Sequence, residues 1–292
     1  MNIGLLTRNE KAWCSSRLRE AFLRLGAYPK CFTFSQLVAK VATGPTVLLD
    51  GSDMRHQVNA ILVRPIGRGS LDQIIFRLNL LQSLSRSGIP VFNNPSSIEK
   101  AADKYHTLVL LSERGVRVPR TVVTENVSKA LSAFHDFGGD AIVKPVFGSR
   151  GIGAARISDE DIAERTFRTL HFNRHVLYVQ EFVPHGFRDI RVLLVGGRVV
   201  AAMHRVSSYW KTNVSRGARP VPLKATAEME EIAIRSAEII GCEIAGVDLM
   251  ESQEGLLVNE INSQPGWRGL QSTTSVDIAE EMASYVISKA KR

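Results

Sequence analysis

An α/β fold that turns α+β in its C-terminal part is predicted for this chain by three observations. Over the first 95 or so residues, short apolar runs alternate with amphipathic helical patterns, the texture of a small parallel α/β layer. From about residue 117 β-rich runs dominate. Two of them are broken by glycines that read as hairpin turns, at Gly196-Gly197 and near Gly255.

The elements follow in order. "NIGLL" reads as a first strand, with no basic flank or cleavage site of a signal peptide. "SSRLREAFLRLGA" and "LDQIIFRLNLLQSLSRSG" space their apolar residues as helices do, with the strand "AILVRP" between them. "PVFNNPSS" gathers Pro, Asn and Ser into a boundary, and "SIEKAADKYHTLVLLSERG" restarts as helix. "VPRTVV" and "AIVKPV" are strand-like, "DEDIAERTFRTLHF" is helical, and "VLYVQEFV" is again strand. The runs "DIRVLLV" and "RVVAAMHRVS" flank the first hairpin glycines. The helix "ATAEMEEIAIRSAEIIG" leads to a second hairpin, "IAGVDLMES" and "GLLVNEINS", and a helix from near Ser275 closes the chain.

At 292 residues the chain has room for about two domains of ~150 residues and a sizeable core. Hydrophobic content of 44% with 23% charged residues is that of a globular protein. Three scattered cysteines, Cys14, Cys31 and Cys242, fit a reducing cytoplasm and exclude a disulfide framework. No window approaches 18 apolar residues, so no membrane span is expected. The net charge of +8 admits a nucleic-acid binder or an enzyme whose cleft holds polyanions. Basic residues are spread along the chain and aromatics make up 7%, so the excess is assigned to anionic small molecules rather than nucleic acid.

Two stretches carry chemistry. In "AIVKPVFGSRGIG", Lys144 precedes Gly148, Gly151 and Gly153, which is neither a Walker loop nor a glycine motif opening a helix. Taken alone it is either a plain hairpin turn or a phosphate loop. In "GVDLMESQEGLLVNEINSQPG", period-2 geometry puts Glu260 and Asn262 on one face, and the turn brings Asp248 beside them. Three hard oxygen ligands suit magnesium. An exposed polar face is the plainer alternative, weakened by strands apolar enough to be buried, where unpaired carboxylates are costly.

The strings "EKAADKYHTLVLLSERGVRVPRT", "AIVKPVFGSRGIG", "VQEFV", "DIRVLLVGGRVVAAMHR" and "VNEINSQPG" resemble, in order, the motifs of RimK-type amino-acid ligases of the ATP-grasp superfamily. The resemblance implies a pre-ATP-grasp layer over 1–95 and two α+β subdomains, 96–178 and 179–292, that clamp ATP. It implies that Lys104 and Lys144 reach the phosphates under a flap of Gly148, Ser149, Gly151 and Gly153. Gln180, Glu181, Phe182 and Val183 match the strand whose backbone bonds adenine, and Asp189 matches the ribose position. Arg191 resembles the arginine that stabilises transferred charge, and Lys211 and Asn213 stand where such sequences carry Arg-x-Asn. Asp248, Glu260 and Asn262 become the ligands of magnesium, with manganese as its alternative.

The implied chemistry is γ-phosphoryl transfer from ATP to a carboxylate, then attack by an amine. No nucleophilic side chain is needed, so no cysteine, serine or histidine is nominated. Arg64, Arg68, Trp267 and Arg268 are the substrate candidates, arginines for carboxylates and the tryptophan for a flat ring. Their strings look similar to the branch that adds L-glutamate to tetrahydromethanopterin-type pterins. The expected partners are therefore L-glutamate and a small-molecule acceptor carboxylate, with a protein tail or carrier-bound acceptor, and a non-catalytic nucleotide binder, as alternatives. A homodimer or homotetramer stays open.

Overall fold

In a computed structural model, residues 1–44, 47–148 and 151–291 are described. The chain opens with β1 (Asn2–Leu6), α1 (Trp13–Arg24), β2 (Tyr28–Phe32), β3 (Leu37–Ala39), β4 (Val47–Leu49), β5 (Ser52–Asp53), β6 (Ala60–Val63), α2 (Leu71–Arg86) and β7 (Val91–Phe92). Strands pair in the order β2-β1-β6-β7, all parallel, while β3, β4 and β5 form a separate antiparallel meander. Alternation sorts the first sheet cleanly. Ile3, Leu5, Ala60 and Leu62 face α1, and Leu6, Ile61 and Val63 face α2. Full burial of Leu18 and Phe22 on α1 is worth roughly 1.5–3 kcal/mol each.

The predicted helix after the boundary is two helices, α3 (Pro95–Ala102) and α4 (Lys104–Glu113). Asp103 ends the first and caps the second, its side chain accepting from His106 N at 3.0 Å. A cation, Lys104, is thereby fixed at the first residue of α4, the positive end of the helix dipole.

Next come β8 (Thr121–Thr124), α5 (Val127–Asp136), β9 (Ala141–Val143), β10 (Ala155–Ile157), α6 (Glu160–Phe172) and β11 (Leu177–Glu181). They form an antiparallel sheet β10-β9-β11-β8 covered on one face by α5 and α6. The largest sheet, β14-β13-β12-β15-β16, follows from β12 (Arg188–Val195), β13 (Arg198–Val206), β14 (Arg219–Leu223), α7 (Ala227–Ile240), β15 (Ile244–Ser252) and β16 (Gly255–Asn262). The short α8 (Arg268–Gln271) and α9 (Ile278–Ala290) complete the described chain.

One core joins the first sheet to the largest. Ile3, Leu5 and Phe22 share it with Leu193, Val195 and Met203, and α9 supplies Ile278, Met282 and Val286 to it. Asp277 ties α9 to α1, capping Ala279 N at 3.1 Å and pairing with Arg17 at 3.1 Å and Arg24 at 2.7 Å. The inner face of β12 is divided: Leu193 and Val195 lie in this core, while Asp189 and Arg191, further back along the same face, carry charge.

Candidate active site

The polar half of that face meets the uncovered face of the β8–β11 sheet across a cleft holding about 890 Å³ of open space. Strand alternation supplies its lining. Ala141 and Val143 point into the α5/α6 core, so Ile142 and Lys144 point the other way, and Gln180 does the same on β11. Lys144 Nζ donates to Gln180 Oε1 at 3.0 Å and lies 5.2 Å from the Tyr178 ring centroid. Burial pushes Lys144 down to about 8, with Glu260 raising it and Lys104 lowering it.

The titration of Lys144 has a measurable consequence. If Lys144 contacts phosphate, ATP affinity should hold at pH 7 and fall roughly tenfold by pH 9, as the cation is lost above its folded value. Lys144→Arg should flatten that limb in a titration of ATP KM against pH. Because the ordinary value is 10.5, the unfolded chain binds more protons than the fold between about 8 and 10.5, so this residue makes stability rise with pH there.

Across the cleft, β15 and β16 pair with Asp248 opposite Glu260 and Gly246 opposite Asn262, so the three expected ligands share one face, with an irregularity after Asp248. Asp248 Oδ2 accepts from Arg191 Nη2 at 2.8 Å and lies 3.1 Å from Arg205 Nη2, and Oδ1 accepts from Arg191 Nε. Burial raises the Asp248 carboxyl, and the Arg191 and Arg205 guanidiniums more than offset it, leaving it below the usual carboxylate range. Arg205 also donates to Asp189 Oδ1 at 2.6 Å, and Thr212 Oγ1 bonds Asp189 Oδ2 at 2.6 Å. Two arginines and two aspartates thus form one buried charge network.

Glu260 differs from its neighbours: among the described residues its carboxylate makes no ion pair or hydrogen bond, and it faces the cleft. A free carboxylate, an amide at Asn262 and the remaining lone pair on Asp248 Oδ1 make a hard-oxygen donor set that fits a magnesium ion.

The glycine stretch is the connection between β9 and β10, which pair antiparallel with Ala155 opposite Val143. Three cations hold its carbonyls: Lys104 Nζ donates to Gly148 O at 2.6 Å, Arg216 Nη2 to Gly151 O at 3.0 Å and Lys211 Nζ to Ala154 O at 2.6 Å. Ser149 lies outside the described residues. Gly151 and Gly153 have φ of +64° and +79°, and a Cβ on Gly151 would stand 2.5 Å from Asn213 Oδ1. Replacing both by Ala should raise the ATP KM about tenfold or more, ~1.4 kcal/mol of lost binding. The free loop can relax, so the melting temperature should move by only a few degrees. An unchanged ATP KM would make this an ordinary turn.

Residues 101–286 match the RimK-like ATP-grasp domain. The chain belongs to the RimK-like ATP-grasp family. Over 97% of its length it is 30% identical to the tetrahydromethanopterin:alpha-L-glutamate ligase of Methanosarcina acetivorans, covering 98% of that protein. Over 68% of its length it is 35% identical to the alpha-aminoadipate–LysW ligase LysX of Sulfurisphaera tokodaii, covering 70% of it. The ATP-grasp ligase PsnB, solved with a minimal precursor, magnesium and ADP, superposes with a TM-score of 0.75 at 20% identity, spanning 100% of this chain and 98% of that one. As a RimK-like ATP-grasp protein, the chain is an ATP-dependent, ADP-forming ligase. No helix among the described residues is long and apolar enough to cross a membrane.

Within this RimK-like frame, several expected residues stand differently from their sequence reading. Trp267 is a correction: it is 1% exposed, packed edge-on against Trp13 with centroids 6.1 Å apart, so it cannot stack on a ligand ring. Arg64 is buried above it, with its Cζ 4.8 Å from the ring centroid, whereas Arg68 and Arg268 are exposed. The Glu181 carboxylate is occupied by Arg120 N at 2.8 Å and Arg120 Nε at 2.6 Å, and Arg156 covers the Phe182 ring at 3.5 Å. Asp189 lines the cleft but spends most of its lone pairs on Arg205 and Thr212. Sequence reasoning missed Arg205, Thr212, Asn259 and Met250, all of which line the cleft. The alternation of Arg205 with the inner-face Met203 on β13 was the available signal for the first of them.

Proposed function

We propose that this ligase joins the amino group of L-glutamate to a carboxylate of a small-molecule acceptor of the tetrahydromethanopterin-type pterin class. The observation that carries the reading is end-to-end similarity to a ligase of that name, at 30% identity over 97% of the chain. The cleft chemistry supports the reaction type. We assign 96–178 and 179–292 as the two jaws, with 1–95 as the layer that brings substrate to them.

In this reading adenine lies among Ile142, Val183 and Met250. The amides of Glu181 and Phe182 already donate to Arg120 O and Asp140 O, at 3.0 and 3.1 Å. Val183 N–H has no such acceptor among the described residues and is the donor left for the base. Lys104, Lys144 and Lys211 give up their flap and glutamine partners to phosphate oxygens. Glu260, Asn262 and Asp248 would hold magnesium, which supplies charge neutralisation on the phosphates when bound. Arg191 Nη1 has no acceptor among the described residues, and that N–H serves the charge that develops as the carboxylate is phosphorylated and the amine attacks. Positioning and charge do the work; no side chain becomes covalently attached.

A second reading is favoured by one observation, the 35% identity to a ligase named for joining alpha-aminoadipate to LysW. Both are tested by incubating enzyme, ATP, magnesium and L-glutamate with a pterin carboxylate, a peptide tail or a carrier protein. ADP should form stoichiometrically with a product heavier by one glutamate less water. AMP and pyrophosphate would overturn the acyl-phosphate route. Ligation of another amino acid, or of the carrier alone, would overturn the pterin–glutamate assignment.

A further inference from the structure

The first sheet has a topological switch point of its own. In the order β2-β1-β6-β7, the chain leaves β1 towards β2 on one side, and β6 lies on the other. The loops after β1 and β6 therefore part at the carboxyl ends of neighbouring parallel strands, the place where open α/β sheets take ligands. The loop after β6 begins with Arg64. The loop after β1 runs into α1, whose N-cap, Ala12, offers no side-chain oxygen to the first amides.

Arg64 is 6% exposed, yet among the described residues it pairs with no carboxylate. Among the described residues its guanidinium makes one hydrogen bond, from Nη2 to Pro265 O at 3.0 Å, and its other face rests on Trp267. Burial lowers its affinity for the proton, and the Cys14 thiol in the first turn of α1 acts the other way. A buried guanidinium without a counter-charge is expensive.

The surroundings deepen the imbalance. Among the described residues Gln264 Nε2 and Trp267 Nε1 are buried donors with no acceptor, while Gln264 Oε1 is already taken by Ile66 N at 3.3 Å, two residues from Arg64. A cation, two orphaned N–H groups and an uncapped helix start adjoin one another around Trp267, and none of them is an acceptor. Such a set is completed by an anion with two oxygens.

The geometry points to a carboxylate subsite here, in which Arg64, Gln264 Nε2 and Trp267 Nε1 receive a substrate carboxylate that does not react. Pro265 links it to the reacting centre. A Cβ built on Gly246 would lie 3.0 Å from Pro265 Cβ and 3.1 Å from Arg191 Nη1, so the two arginines flank one proline. An amino dicarboxylate carries such a second, non-reacting carboxylate, and an acceptor ending in a glutamyl carboxylate presents the same group. Calling the ligand a substrate rests on the proposed ligase function; carboxylate binding by Arg64 does not.

The test is a titration of the full chain with AMPPNP and magnesium present, using L-glutamate, L-glutamine, L-isoglutamine and N-acetyl-L-glutamate, read by calorimetry and melting temperature. Binding of L-glutamate with loss on amidation of one carboxylate identifies the group on Arg64. Binding of N-acetyl-L-glutamate instead, which has no free amine, assigns the subsite to the acceptor. Arg64→Met should weaken the bound carboxylate at least tenfold with the AMPPNP affinity unchanged. Gln264→Glu places an internal carboxylate beside Arg64, so it should raise the ligand-free melting temperature and abolish carboxylate binding; it decides the matter even where Arg64→Met misfolds. Absence of saturable carboxylate binding to the native chain, or equal affinity in Gln264→Glu, overturns the subsite. If carboxylates bind but no acceptor is ligated, the glutamate ligase reading falls and the subsite stands.

Discussion

Glu260→Gln should lower turnover about a thousandfold, ~4 kcal/mol of transition-state stabilisation, while leaving the melting temperature nearly unchanged. The two halves of this expectation have one origin. Glu260 makes no ion pair or hydrogen bond among the described residues, so the fold loses little when its charge goes. Its partner across the hairpin, Asp248, is already shared between two arginines, so Glu260 is the one uncommitted carboxylate in the assigned metal set. A neutral amide keeps the shape and removes the charge. Glu260 also raises the Lys144 pKa, so the variant should show that group titrating below about 8. Retention of more than a tenth of the native rate would remove Glu260 from the phosphate chemistry.

Arg205→Met should destabilise the chain by about 3–5 kcal/mol, because it strands the Asp189 and Asp248 carboxylates in the interior with too few donors. Arg205 is 5% exposed, and these two acids are 5% and 3% exposed. At ~2–4 °C per kcal/mol, the melting temperature should fall by roughly 6–20 °C. Pairing the change with Asp189→Asn should return part of the loss, since one stranded charge is then gone. A melting temperature within 2 °C of native would mean that water or relaxation meets these carboxylates.

Arg205 also marks where the sequence stopped being legible. As a letter in "MHRVS" it is one basic residue on a strand, and only the lateral order β13-β12-β15 sets Arg205 opposite Asp189 and within reach of Asp248. By contrast, the facing of Asp248, Glu260 and Asn262 needed only a turn near Gly255 and a period of two, both local properties. The meander β3–β5 has strands of two and three residues, too short for any periodicity to register. The break at Asp103 was hidden because the apolar spacing runs on across it. Trp267 was misread for a reason of distance along the chain: Trp13 and Arg64, which enclose it, are some 200 or more positions away.

The wedge formed by α9 between α1, β6 and the strands β12 and β13 bears on how the chain is made. On a ribosome adding ~5–20 residues per second, Ile3 and Phe22 emerge on the order of 15–60 s before Met282 and Val286. Throughout that interval the nascent N-terminal layer lacks one wall of its core and shows greasy surface to the cell. That exposure ends only when α9 has emerged and packed against α1 and β6.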